Sequence, residues 1–236
     1  MKTVILFLAV LLSGIVLVAQ PINDPNAELR EAKNFHVINV SSSFDVYISQ
    51  SKEEAVAVSG ASSKDKENIK VEVKEGVLYV RYEGNSKWGW NSGNKKLKVY
   101  ISFKNIDKLL ISGACNVFFT DIINVNELTI NQSGASDLKG NLNVNYLHVD
   151  LNGASDVTLS GTAKFLSVEV NGASDFKGYD LVSVNCVAKA SGASDIRVTV
   201  NKELSAEASG ASDIKYKGNG VIIDKKSSGS SSVSKG

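Results

Sequence analysis

The sequence predicts an all-β chain folded as a right-handed parallel β-helix, a solenoid with coils of about 18–21 residues. Three observations carry that expectation. A five-residue phrase, Ser-Gly-Ala-Ser-Asp, stands at 133–137 and returns at 191–195 and 209–213, with Asn replacing the first Ser at 152–156 and 171–175. Its glycines, Gly134, Gly153, Gly172, Gly192 and Gly210, are 19, 19, 20 and 18 residues apart, and so regular a period marks a repeat architecture. Apolar residues alternate with polar ones on both sides of the phrase, the pattern of strand, turn, strand. A repeat this small cannot bury its apolar face alone, whereas stacking puts like residues into internal columns.

Those columns can be written down by counting from each phrase glycine. Six residues back stand Leu128, Leu147, Leu166, Cys186 and Leu204; four back stand Val56, Leu109, Ile130, Val149, Val168, Ala188 and Ala206. Two back stand Val58, Ile111, Leu151, Val170, Ala190 and Ala208, with Gln132 as the exception. Four residues forward stand Val117, Leu138, Val157, Phe176, Ile196 and Ile214. The glycine supplies a corner where positive φ or close backbone approach is needed, and further corners are expected at Gly140, Gly161 and Gly178. Weaker copies of the phrase extend the series to 60–63, 113–116 and 229–232. A leucine-rich repeat would place its Asn differently, and propeller blades are about 40 residues long. Parallel crossovers are right-handed by default.

Taken in order, residues 1–19 combine a Lys-bearing start with an apolar run, which reads as a signal peptide and is short for a membrane span. No transmembrane span is expected once it is removed. The predicted location is extracytoplasmic: periplasmic, cell-surface or secreted. Loss of Lys2 lowers the 26 basic residues to 25, equal to the 25 acidic ones. A neutral body with few arginines argues against nucleic acid as a partner. Residues 20–34 hold both prolines and read as a polar linker. The β-helix domain is expected over 35–224, with a degenerate phrase at 42–46. Within it, 69–103 is an irregular insertion carrying a hairpin or loop around 74–76 and both tryptophans, Trp88 and Trp90. Residues 225–236 are Ser, Gly and Lys with one Val, and read as a tail or a frayed final coil. Cys115 falls at the Ser place of its phrase and Cys186 at a leucine place four repeats away, an offset of roughly 19 Å that forbids a disulfide.

Arg30, Phe35, the segment 44–50, the lead-in 97–113 and the Gly-Ala-Ser-Asp phrases together resemble the auto-transporter adhesin "head GIN" domain family. The resemblance spans roughly residues 30–233 and rests on structural motifs, since the chain has no Gly-Ile-Asn triplet. It implies a β-helical fold and an extracytoplasmic place, in a family of exported bacterial proteins without an assigned function. It brings no catalytic or binding residues with it.

The candidate binding residues are Trp88, Trp90 and the acidic column Asp137, Asp156, Asp175, Asp195 and Asp213. Stacking would bring neighbouring carboxylates to about 5 Å, near the separation in retaining glycosidases. That chemistry needs two carboxylates in unlike environments, and a repeated one does not supply them. Hydrogen bonding of each Asp to corner amides is the favoured reading of the column, and calcium binding the minority one. The tryptophans could offer an aromatic platform or fold back onto the body. His36 and His148 belong to no catalytic motif. No metal or cofactor is called for. The function read from the sequence is an exported, non-catalytic binding or adhesion module for a glycan or cell-surface protein. A carbohydrate-active enzyme on the same scaffold and a self-associating structural surface protein are the alternatives, with an oligomer allowed.

Overall fold

The computed structural model describes residues 24–84 and 96–236, and within them the chain forms a parallel β-solenoid of about seven turns. The leader at 1–19, Trp88 and Trp90 lie outside the described residues. Short elements open the chain: β1 (Glu28–Arg30), β2 (Val37–Val40), β3 (Asp45–Gln50), β4 (Ala55–Ser59), helix α1 (Ser63–Asn68), β5 (Ile69–Lys74), β6 (Val77–Tyr82), β7 (Lys98–Phe103) and β8 (Lys108–Ile111). Then come long bent strands that each make most of a coil: β9 (Asn116–Gln132), β10 (Asp137–Leu151), β11 (Asp156–Val170), β12 (Asp175–Ala190) and β13 (Asp195–Gly210). The last coil is divided among β14 (Asp213–Lys217), β15 (Val221–Gly229) and β16 (Ser232–Lys235).

From β9 to β13 the stack follows the sequence order, every neighbour parallel and in the register expected. Leu128, Leu147, Leu166, Cys186 and Leu204 face one another in one buried column. The forward column runs without a break from Val46 through Val117, Leu138, Val157, Phe176, Ile196 and Ile214 to Val233. Gln132, the exception, is buried inside, where Nε2 donates to the Ser136 carbonyl and Oε1 finds no donor among the described residues. Both cysteines are free and buried. They lie on coils three steps apart rather than four, still about 14 Å along the axis and out of disulfide reach. Burial pushes the Cys186 thiol up to about 12.

The phrase glycines turn the corner because the hydrogen-bond ladder continues through it. Ala154 N donates to Gly134 O at 2.8 Å, and Ala173 N to Gly153 O at 2.8 Å. Gly153 itself has φ 90°, and a Cβ there would sit 2.6 Å from Gly134 O. Only a residue without Cβ allows both the left-handed turn and the ladder bond beneath it. Of the expected second corners, Gly161 has a positive φ, of 111°, whereas Gly140 and Gly178 do not. Those two instead leave room for the Phe119 and Phe176 rings.

The N-terminal end departs from the expected order. β2 and β3 form a coil that stacks directly on β8 and β9, so Ser42, φ 102°, lies beneath Gly113 and accepts from Ala114 N at 2.7 Å. The coil made by β6 and β7 stacks on the opposite face of β2 and β3. The first coil in sequence is therefore the second in space. Gly60 is not a corner of the stack: it has an ordinary backbone and leads into α1, where Ser62 caps the helix by accepting from Asp65 N at 3.1 Å. Val56 and Val58, counted in the columns by sequence, belong instead to β4, which runs antiparallel to β7 and carries β1 on its outer edge. These antiparallel strands close the end of the solenoid. The segment around 74–76 is a true hairpin, with Glu75 (φ 51°) and Gly76 (φ 77°) as its two-residue turn between β5 and β6.

Candidate functional site

The outward surface is a set of side-chain ladders, since parallel stacking repeats each outward place at every coil. Asp137, Asp156, Asp175, Asp195 and Asp213 do stack as expected, continued by Asp45 and Asn116 on one side and Ser232 on the other. Their partners are not the corner amides. Asp156 Oδ2 accepts from Lys177 Nζ at 2.6 Å, Asp175 Oδ2 lies 3.6 Å from the same nitrogen, and Asp195 Oδ2 accepts from Arg197 at 2.8 Å. The Asp156 hydrogen bond holds the Lys177 ammonium above its ordinary pKa, against a smaller opposing effect of burial.

The corner groups are bonded from inside by the phrase serines. Ser136, Ser155, Ser174, Ser194 and Ser212 are buried. Ser174 Oγ accepts from Ser155 N at 3.0 Å, and Ser212 Oγ donates to Ala190 O at 3.1 Å. The expectation that Asp serves the corner is thus corrected: Asp stands one residue past Ser, and period-two alternation turns it outward. Among the described residues no group of His, Cys, Asp and Glu could hold a metal ion.

A different face breaks the ladder of like residues. Glu127, Tyr146, Phe165, Asn185, Glu203 and Val221 occupy one outward place on successive coils. The Tyr146 and Phe165 rings stack 5.2 Å apart and 5° from parallel, and both are about half exposed, at 49% and 45%. Beside them runs a second outward column of His148, Ser167, Val187 and Ser205. Beyond Ser205 the register slips, so that Leu204 pairs with Ile222 and Ser205 with Asp224, and the extra residue Ile223 is left exposed at 62%. Such a bulge re-aims a side chain. The two columns and Ile223 enclose a groove of about 410 Å³ along the solenoid axis. The sequence reading did not single it out. The signal was present: Tyr146 and Phe165 are 19 residues apart, one period, at the same outward place.

The groove's acids Glu127 and Glu203 stand four coils apart, about 19 Å, beyond the reach of a paired-carboxylate mechanism. His148 makes no hydrogen bond to a carboxylate among the described residues. What the face offers is a fixed array of ring, amide and carboxylate.

Fold and surface together define an end-capped parallel β-solenoid that displays side chains on rigid sheets. The chain belongs to the family described as "Putative auto-transporter adhesin, head GIN domain", whose model matches residues 34–220. Among solved structures it is similar to a putative adhesin from Bacteroides fragilis NCTC 9343, at 20% identity and a TM-score of 0.79 over 89% of this chain and 95% of that one. A putative adhesin from Parabacteroides merdae ATCC 43184 matches at 16% identity and TM-score 0.66, over 89% and 95% of the two chains. A putative lipid binding protein from Parabacteroides distasonis ATCC 8503 matches at 23% and 0.61, over 90% and 98%. At these identities the likeness shows the shared fold. No curated protein matches the sequence. No described helix is long and apolar enough to cross a membrane.

Proposed function

We propose that this chain is an exported, non-catalytic binding module of adhesin type, acting outside the cytoplasm. The observation that carries the reading is the half-exposed Tyr146–Phe165 stack beside an open groove. Exposed aromatic rings held rigidly lose little entropy on binding, which is why they anchor interfaces. The leader-like start at 1–19, the family's adhesin description and the adhesin names of two structural neighbours support the same reading. The enzyme alternative needs unlike acid and base groups converging in a cleft, and the groove does not bring them together.

Beads coated with residues 24–236 test the proposal against immobilised polysaccharides, extracellular proteins and lipid films, alongside hydrolysis of chromogenic glycosides. Retention on one class of surface, reduced by Tyr146→Ala or Phe165→Ala and without glycoside turnover, is expected. Turnover of any glycoside in proportion to protein would overturn it. The exposed Val182, Val184 and Val187 on β12 favour self-association as a second reading. Light scattering that grows with concentration and falls in Val184→Lys would favour that one.

A further inference from the structure

Resting on that reading, we infer that the groove is a saccharide subsite, with a neutral sugar ring stacked on the face of Phe165 turned away from Tyr146 and its hydroxyls bonded by Asn185 and Glu203. Tyr146 covers one face of the Phe165 ring, and the other looks along the axis toward the next coil. There the column shrinks from a ring to an amide and then a carboxylate, at steps of about 5 Å, before Ile223 closes the far end. A sugar ring has an apolar C–H face for the aromatic and hydroxyls around its edge that both donate and accept. Asn185 can do both in return, and Glu203 accepts. Among the described residues Asn185 Oδ1 is buried with no donor, an uncommon state for a polar atom in a folded protein. Turning that amide toward a ligand hydroxyl would supply the missing bond.

Other occupants fit less well. A peptide adding as a strand would need a free strand edge, but the backbone beneath the groove is committed on both sides, residues 185–190 pairing with 165–170 and with 203–208. An acyl chain laid in an open groove would keep much of its surface in water and gain little. Lys202 Nζ lies 3.3 Å from Glu203 Oε1 and offsets its charge, which favours a neutral sugar over a cationic one.

The test is an array of neutral oligosaccharides and, in parallel, phosphatidylcholine vesicles, probed with residues 24–236 as wild type, Phe165→Ala, Phe165→Tyr, Glu203→Gln and the remote control Thr158→Ala. Circular dichroism checks that each variant is folded. The expected result is binding of a neutral oligosaccharide that weakens at least tenfold in Phe165→Ala and Glu203→Gln and survives in Phe165→Tyr and Thr158→Ala. Sugar binding indifferent to Phe165→Ala, or no sugar bound, overturns the subsite. Vesicle binding lost in Phe165→Ala would overturn it too while leaving the binding-module reading intact. Failure of the bead assay on every surface would remove both.

Discussion

Ser174 and Asp175 are adjacent in the repeated phrase and opposite in role. Ser174 is buried and its Oγ is the acceptor for Ser155 N, whereas Asp175 is turned outward, 3.6 Å from Lys177 Nζ. Removing a buried acceptor leaves an amide that neither water nor protein satisfies, so Ser174→Ala should cost about 1–3 kcal/mol in denaturant unfolding. An exposed ion pair contributes little, so Asp175→Ala and Asp175→Asn should both stay within about 0.5 kcal/mol of wild type. The melting temperature should not respond to added calcium. A calcium-dependent rise abolished by Asp175→Asn would make the acidic ladder a metal site. From the sequence the Asp looked like the turn former because Asp commonly bonds turn amides. Which of two adjacent polar residues faced inward depended on where the strand resumed after the corner, and the alternation of 137–151 already pointed to Ser.

At the scale of one coil, the interior columns were legible residue by residue. Strand alternation gives each residue a face, and the constant period aligns like faces from coil to coil. Leu166 therefore lies between Leu147 and Cys186 as counted. Leu166→Ala should destabilise by about 2–5 kcal/mol as a buried cavity, while the partly exposed neighbour Ser167→Ala should cost little; thermal or urea unfolding of the two variants compares them directly. Small, equal effects would mean the strand faces are reversed. Helix α1 was missed although Ser62 and Asp65 stood at capping spacing, because six polar residues carry no apolar period to mark a helix. The Tyr146–Phe165 groove was missed for a related reason. Its members come from successive coils and share no local motif, so only the stacking makes them neighbours.

The whole molecule is a stack with two different ends. At the N-terminal end the antiparallel strands β4 and β1 cover the β7 edge, so the parallel ladder stops. At the other end β15 and β16 complete a coil whose residues are mostly exposed and polar. There Lys225 takes the place above Ala206 and its Nζ donates to Val233 O at 2.8 Å across the coil. A lysine spanning the mouth of the core blocks further strand addition, as charged edge residues do elsewhere. Deleting 221–236 would expose Leu204, Ala206 and Ala208 along with the open β13 edge. The shortened chain should associate at concentrations where the full chain stays monodisperse, measured by light scattering. Unchanged scattering would show that the final coil is dispensable for closing the stack.

The sequence by itself determined the coil length, the corners at the five phrase glycines, the interior columns of residues 116–214 and hence the fold class. Each of these follows from a local pattern repeated at a constant period, and a one-dimensional stack needs no further information. Only the tertiary structure decided that the coil at 37–50 lies between strands 77–82 and 98–103 on one side and the coil at 108–132 on the other, and that the segment holding Gly60 leaves the stack to cap it. That order rests on which strand edges pair across the interruption, a competition among long-range contacts that carries no period. The same holds for the groove, whose chemistry exists only because rings, amide and carboxylate are stacked about 5 Å apart by coils distant in sequence.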